Sequence, residues 1–138
     1  MRDTSSIGQI GELAVMQRLA RSGWQVLIPY GNSAPYDLGA EKDEQFVRIQ
    51  VRTTHAVDGF ISANCRTKNG RQQIEPGSID FLVVYDLRSD TAFVISEEEI
   101  RGKNVFHIRL SPARSGQVRG THPAEDYRER WDKLDLGA

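Results

Sequence analysis

Four side chains and one backbone carbonyl supply the atoms that a metal-assisted reaction needs. Glu12 and Asp37 are acids, and the polar-x-basic triplet Gln50-Val51-Arg52 follows Asp37 by about thirteen residues. Hard divalent cations prefer oxygen ligands, which the two carboxylates, the Gln50 amide and the Val51 carbonyl could supply. Cleavage of a phosphodiester needs such a cation and a positive group for the charge that develops on the phosphate, and Arg52 could be that group. The set therefore indicates metal-assisted chemistry on a phosphodiester.

Each of these residues, taken alone, also has an ordinary structural explanation. Glu12 lies in an apolar arc of a predicted helix and could simply be a partly exposed glutamate. Asp37 follows a proline-containing loop, where aspartate commonly forms a turn. Gln50 and Arg52 need no partner if their face of the sheet is solvated. Only the order and spacing of these residues favour a shared site.

Hydrophobic periodicity predicts the elements that must position these residues. In the strand over 46–54, Val47, Ile49 and Val51 fall on one face, whereas Gln50 and Arg52 fall on the other. The first half of the chain is predicted to form a helix over 5–22, a buried strand over 24–28, a loop over 29–35, a strand over 37–41 and the strand over 46–54.

The second half of the chain alternates strand and turn patterns. Tyr127 and Trp131 are predicted to face inward from a terminal amphipathic helix. The order of helix, several strands and helix indicates an α/β or α+β domain with a central mixed β-sheet. The predicted elements are a strand over 59–64 that continues the same sheet, a polar turn over 65–77 that contains Cys65, a hairpin over 79–86 and 91–95, a short helix opened by a capping box at 96–99, a strand over 105–110 and the helix over 123–134.

Length and composition restrict the class of protein. A chain of 138 residues predicts one domain, and 38% apolar with 27% charged residues excludes a disordered chain and a membrane protein. No apolar run approaches the roughly 18 residues of a spanning helix. The first residues lack a signal-peptide pattern, and the single Cys65 forms no internal disulfide. We therefore expect a cytoplasmic protein without membrane contact.

Charge is distributed unevenly along a chain whose net charge is only -1. Residues 48–73 carry +4 and residues 100–122 carry +5, and the segment 75–99 between them carries -6. The two basic segments could form a cationic cleft in the folded protein. They could equally be ordinary solvated charge.

At these positions the chain resembles the PD-(D/E)xK nuclease superfamily. The resemblance is to the group I intron-encoded homing endonucleases of PD-(D/Q)xK type, and more distantly to archaeal Holliday junction resolvases. It covers nearly the whole chain, and the order and spacing of short motifs carry it. The matching pieces are Gly11-Glu12, Pro35-Tyr36-Asp37, Ile49-Gln50-Val51-Arg52-Thr53, Ile79-Asp80-Phe81, Arg109-Leu110-Ser111-Pro112 with Gln117, and Ala124-Glu125-Asp126-Tyr127.

The resemblance implies a restriction-endonuclease-like fold, a mixed sheet of four or five strands flanked by α-helices. It also implies a DNA endonuclease that hydrolyses phosphodiester bonds with Mg²⁺ or Mn²⁺. Carried over by position, Glu12 and Asp37 become metal-ligating acids, and Gln50 the neutral residue of the metal site, beside the Val51 carbonyl. The catalytic lysine of the family falls at Arg52.

Arginine at position 52 departs from the family pattern. Arginine keeps its proton, so Arg52 cannot act as a base, although it can contact a phosphate in a bidentate manner. Three readings follow: the metal alone activates water, Lys68 substitutes for the missing lysine, or the domain has lost hydrolysis and only binds DNA.

The resemblance also implies partners. DNA would be the substrate, cleaved by sequence or, as in junction resolvases, by structure. We expect a homo-oligomer, a dimer or a tetramer, because one small site cuts one strand. Besides a nuclease and a DNA-binding module, a small interaction domain without a nucleic-acid role remains an alternative, because the net charge is close to zero. The candidate phosphate contacts are Arg48, Arg66, Lys68, Arg71 and Arg114.

Overall fold

The computed structural model describes residues 4–31, 33–67, 69–110 and 120–135, with side chains from residue 6 onward. Lys68 and Arg114, two of the candidate phosphate contacts, lie outside these ranges, as do Ser111, Pro112 and Gln117. Two 3-10 turns follow the last strand, at Ala124–Asp126 and Trp131–Leu134. The helices and strands are α1 (Thr4–Arg21), β1 (Gln25–Leu27), β2 (Leu38–Lys42), β3 (Gln45–Thr54), β4 (Phe60–Asn64), β5 (Phe81–Asp86), β6 (Thr91–Ser96), α2 (Glu97–Ile100), β7 (Val105–Arg109) and β8 (His122–Pro123).

Helix α1 forms where the periodicity predicts it, within one residue at each end. Val15 and Leu19 are fully buried on its inner face. The helix ends at Arg21. Gly23, whose φ of 88° lies in the left-handed region, follows it, and the Trp24 amide donates to the Leu19 carbonyl at 3.0 Å. Within the described residues, no helix has the length and apolar character that crossing a membrane requires.

The central sheet has five strands in the order β1-β2-β3-β5-β6. The pair β3 and β5 is parallel, and the other neighbours are antiparallel, so the sheet is mixed. Every residue of β5 is buried, as in a central strand that is covered on both faces. One face packs on α1, and the other packs on a three-stranded sheet of order β4-β7-β8. The predicted α+β class with a mixed central sheet is confirmed.

The length of β3 creates a rim at the end of the sheet opposite the β2–β3 turn. Asp43 and Glu44 have φ values of 49° and 66°, which suit a two-residue hairpin turn. Leu38, the first residue of β2, pairs with Ile49, whereas β3 continues to Thr54. From Ile49 onward β3 pairs with β5. The last residues of β3 therefore extend past β2, next to the segment that leads into it.

Two predicted strands lie elsewhere than expected. The segment predicted over 59–64 as a neighbour in the same sheet is β4, which belongs to the second sheet and pairs with β7. The strand predicted over 24–28 as buried is the edge strand β1, and Leu27 and Ile28 are 38% and 68% exposed. In both cases the pattern identified a strand but not its place, because periodicity carries no information on which strands pair.

Three further predictions are wrong in local detail. The terminal helix over 123–134 is instead the two 3-10 turns, although Tyr127 and Trp131 face inward as predicted. Ser96 precedes α2 without a side-chain capping bond, and Glu97 instead accepts from the Gly77 amide at 2.8 Å. Cys65, predicted at the start of a polar turn, is a core residue: it is 1% exposed, and burial raises its pKa to about 11.

Candidate active site

Asp37 lies at the point where the chain enters β2. Its amide donates to the Ile49 carbonyl at 2.9 Å, and its Oδ2 accepts from the Val51 amide at 2.9 Å. These two bonds hold Asp37 against β3 on both sides of Gln50. The Asp37 carboxylate therefore bonds to the neighbouring strand, so its role is not limited to closing a local turn.

Gln50 is 2% exposed and turns its amide toward the same rim. The surrounding groups fix the orientation of the amide: its nitrogen donates to the Pro35 carbonyl at 2.8 Å, and its oxygen accepts from Arg52 Nη1 at 2.6 Å and Nη2 at 3.2 Å. A solvated sheet face is therefore not the explanation of this polar pair. Gln50 and Arg52 form a buried, hydrogen-bonded unit beside Asp37.

The Arg52 guanidinium is enclosed by oxygen atoms. Besides Gln50, Nη1 contacts the Val51 carbonyl at 3.4 Å, Nε donates to the Asn64 carbonyl at 3.3 Å, and Nη2 donates to the Arg66 carbonyl. Burial lowers the pKa of Arg52, and the negative charge of Asp37 acts in the opposite direction. Arginine remains protonated in proteins, so this position holds a fixed positive charge.

Glu12 reaches the neighbourhood of β3 through the close packing of α1. A Cβ atom on Gly11 would lie 1.8 Å from Thr53 Oγ1, so the helix backbone touches β3 one residue beyond Arg52. Glu12 follows this contact and is half-buried. The structure joins Gln50 and Arg52 by hydrogen bonds and bonds the Asp37 carboxylate to the Val51 amide between them. Gly11, the neighbour of Glu12, packs on Thr53 of the same strand. The role of the Glu12 carboxylate as a ligand stays a prediction.

The candidate phosphate contacts differ in their surroundings. Arg48 lies roughly 13 Å from Arg52 along β3 and is ion-paired with Asp80, with Nε 3.2 Å from Oδ2. Arg66 lies beside the site, but its side chain donates to the Gly70 carbonyl at 2.8 Å and to Asn104 Oδ1 at 2.7 Å. Arg71 is exposed on the same loop. Among the described candidates, Arg66 lies beside Arg52, Arg71 follows it on the same exposed loop, and Arg48 lies farther along β3.

Comparison with known proteins identifies the family. Residues 2–130 match the family described as PD-(D/E)XK endonuclease. The chain belongs to the PD-(D/E)XK endonuclease family. No curated protein sequence gives a significant match.

Two solved structures of nucleases are similar to this chain. I-Ssp6803I, a bacterial homing endonuclease, is 24% identical with a TM-score of 0.76, and the match covers 97% of this chain and 92% of that one. Hjc of Archaeoglobus fulgidus, a Holliday junction resolvase, is 13% identical with a TM-score of 0.56, covering 92% of this chain and 94% of that one. At these identities the likeness concerns the fold. The resemblance predicted from the sequence is confirmed at the level of family and fold.

The oxygen atoms at the rim are of the kind that a divalent ion of this family would need. Asp37, Gln50 and the Val51 carbonyl present carboxylate, amide and peptide oxygens, which Mg²⁺ and Mn²⁺ prefer. Over the described part of the chain, no three His, Cys, Asp or Glu side chains gather as a metal cluster. The donor set therefore fits such an ion in chemical type, but it carries at most two carboxylates, if Glu12 contributes.

Sequence reasoning missed the backbone groups that hold this site. The carbonyls of Pro35, Asn64 and Arg66 hold Gln50 and Arg52 in place. Because every residue has a backbone carbonyl, the sequence does not indicate which ones take this role. One sequence signal was available for the helix contact, because Gly11 in a helix interior is unfavourable by about 1 kcal/mol relative to alanine. A glycine retained there indicates a close approach, which the structure locates at Thr53.

Proposed function

We propose that this chain is a metal-dependent DNA endonuclease that hydrolyses phosphodiester bonds with Mg²⁺ or Mn²⁺, and that residues 1–138 form its single catalytic domain. The observation that carries the proposal is the cluster of Asp37, bonded to the Val51 amide, with the hydrogen-bonded pair Gln50 and Arg52 at the rim of β3, in a member of the PD-(D/E)XK endonuclease family. Similarity of fold to a homing endonuclease and a junction resolvase supports it.

The residues of the cluster would have different roles, according to their chemistry. Asp37, Gln50, the Val51 carbonyl and Glu12 would hold the ion, which when bound lowers the pKa of a ligated water and polarises the phosphate. Arg52 keeps its proton and would stabilise the charge that develops on the scissile phosphate. Its donors lie beside two of these ligands, the Gln50 amide and the Val51 carbonyl.

The substrate would approach over the loop that follows β4. Arg66 borders the site there, Arg71 is exposed on the same loop, and both would contact phosphates. Lys68 and Arg114, outside the described residues, remain candidates on sequence grounds. Arg48 would have to break its ion pair with Asp80 to take part. Because one site cuts one strand, we propose a homo-oligomer for cleavage of both strands.

A plasmid nicking assay tests the proposal. Supercoiled DNA is incubated with Mg²⁺ or Mn²⁺ and the wild-type protein, Asp37→Asn or Asp43→Asn. Asp43 is a matched control because it lies exposed at the turn that ends the same strand, β2, and asparagine tolerates its positive φ. We expect Asp37→Asn to lower the nicking rate roughly 100-fold or more, the scale of removing one preorganised electrostatic group, and Asp43→Asn to leave it unchanged.

A second candidate function is a nuclease fold that binds DNA without cutting it. The observation that favours it is the enclosure of Arg52 by four oxygens, because a fixed and protonated arginine stands where the family pattern has lysine. DNA binding that persists in EDTA, without nicking in any divalent metal, would support this candidate over the first. Equal nicking by wild-type protein and Asp37→Asn would remove Asp37 from the mechanism.

A further inference from the structure

The oxygens assigned to the metal already face a cation. The guanidinium of Arg52 lies 2.6 Å from the Gln50 amide oxygen and 3.4 Å from the Val51 carbonyl, two of the proposed ligands. Asp37, the third, is close enough for its charge to act on the pKa of Arg52. A protein cation therefore satisfies the oxygens that a divalent ion would bind.

The guanidinium is anchored in this position from the opposite side. The carbonyls of Asn64 and Arg66, at the end of β4, accept from its Nε and Nη2. The Gln50 amide is held in turn by the Pro35 carbonyl, so its oxygen points at the guanidinium rather than elsewhere. Backbone carbonyls therefore hold both the guanidinium and the amide in this arrangement.

A divalent ion and this guanidinium compete for the same space. Mg²⁺ or Mn²⁺ needs its oxygen ligands at about 2.0–2.6 Å, and Gln50 already has an Arg52 nitrogen 2.6 Å from the same oxygen. Two cations on one amide oxygen would also repel each other strongly in a buried setting. The ion can enter only when the arginine leaves.

We propose that the Arg52 guanidinium occupies the cation position of this site in the metal-free protein, and that a divalent ion binds only after the side chain swings away. The inference rests on the proposed function, because it uses the same ligands. Arg52 thereby sets the metal affinity of the site. A DNA phosphate, which offers the guanidinium another partner, would make metal binding easier, so metal and DNA bind cooperatively.

Binding of Mn²⁺ to the full chain tests this directly, measured by the loss of the free-ion electron paramagnetic resonance signal. We expect Arg52→Met to bind Mn²⁺ at least tenfold more tightly than wild-type protein, which is about 1.4 kcal/mol. Arg66→Met is the matched control, since it removes a neighbouring positive charge, on the loop after β4, without freeing Gln50 or Val51. The gain should vanish in Asp37→Asn/Arg52→Met.

The outcomes separate this inference from the proposed function. Equal Mn²⁺ affinity of wild-type protein and Arg52→Met, alongside metal-dependent nicking, overturns the inference and leaves the endonuclease intact. An equal gain in Arg66→Met also overturns it, because the effect is then general charge. If no variant binds Mn²⁺ and none nicks DNA, both proposals fail.

A measurement on the wild-type protein covers the case in which Arg52→Met does not fold. The Nε–H resonance of Arg52 in a nitrogen-15 spectrum reports its bond to the Asn64 carbonyl. During a Mg²⁺ titration we expect this resonance to shift together with the Gln50 side-chain amide. A saturating shift of Gln50 with Arg52 unchanged would overturn the inference.

Discussion

The choice of arginine at position 52 determines both the chemistry and the packing of the rim. A lysine is a single flexible ammonium whose pKa can fall on burial, whereas arginine is a planar fork that stays charged. The fork suits this environment because its donors reach the Gln50 amide and the carbonyls of Asn64 and Arg66 at once. Arg52 therefore has a fixed geometry in this site, but it cannot accept a proton as a deprotonated lysine could.

Substitution of Arg52 by lysine is therefore expected to affect nicking activity and protein stability in different directions. We expect Arg52→Lys to keep or raise metal-dependent nicking, because an ammonium can stabilise the phosphate and is held by fewer oxygens. The free energy of unfolding should fall by about 1–3 kcal/mol, the scale of charge-assisted hydrogen bonds lost in a part-buried setting. Nicking rates and urea unfolding on the same preparation measure the two effects.

A folded Arg52→Lys protein without any nicking activity would contradict this expectation and show that the planar guanidinium is required. The comparison needs activity normalised to the folded fraction, because the stability loss alone reduces the apparent rate. A variant as stable as wild-type protein would show that the carbonyl contacts of Arg52 contribute little.

The sequence was sufficient to place Asp37, Gln50 and Arg52 on their elements, but not to predict the backbone groups that hold them. Strand alternation placed Gln50 and Arg52 on one face and predicted Asp37 at the start of the preceding strand, as the structure has them. The Asn64 carbonyl could not be predicted, since β4 was expected in the wrong sheet. Contacts between a side chain and a distant backbone depend on the topology, which periodicity does not determine.

At the scale of elements, the errors arise where long-range contacts override local patterns. Neighbours in sequence pair in a sheet only about two thirds of the time, and β3 pairs with β5 rather than β4. The predicted terminal helix is interrupted at Glu129, whose φ is 49°. Its carboxylate accepts from the Ala92 amide, the Trp131 indole and the Arg18 guanidinium. These tertiary bonds hold the chain in a conformation that a helix excludes.

The contact between α1 and β3 is tested by two glycines of the same helix. Gly8 has no atom within 4 Å of an added Cβ, whereas at Gly11 the added atom would lie 1.8 Å from Thr53 Oγ1. We expect Gly8→Ala to raise the free energy of unfolding by about 0.5–1 kcal/mol through helix propensity. Gly11→Ala should lower it by about 1–3 kcal/mol, because overpacking outweighs that gain.

A double-mutant cycle checks the cause. In a Thr53→Ala background, urea unfolding should show a smaller loss for Gly11→Ala, with partial relief because the Thr53 Cβ would still be 3.0 Å away. The same loss in both backgrounds would place the clash elsewhere. Since Glu12 follows this contact, a displaced helix should also reduce nicking.

At the scale of the molecule, Arg18 joins three parts of the chain. Its guanidinium pairs with Asp90 in the β5–β6 turn and with Glu129 in the last segment, each at 3.0 Å, and is only 15% exposed. The helix that carries Glu12 is thereby fixed at its far end to the sheet edge and to the C-terminal segment. The position of the site depends on packing well outside it.

Charge distribution at the same scale governs how the protein meets DNA. The chain has a net charge of -1, so attraction to DNA must come from the local basic segments rather than from the whole protein. Arg71 is exposed on the loop beside Arg52, whereas Arg130 is ion-paired with Asp132 in an acidic segment. These two arginines are therefore expected to contribute very differently to binding.

Salt dependence of DNA binding distinguishes the two arginines. With a non-specific duplex and no divalent metal, we expect Arg71→Gln to weaken binding and to reduce the slope of log K against log salt by about 1, because one phosphate contact and its counterion are lost. Arg130→Gln should change neither quantity. An unchanged slope for Arg71→Gln would move the DNA path away from the loop after β4. Because the proposed site opens beside that loop, such a result would also require the substrate to reach Asp37 from the side of β1 and β2.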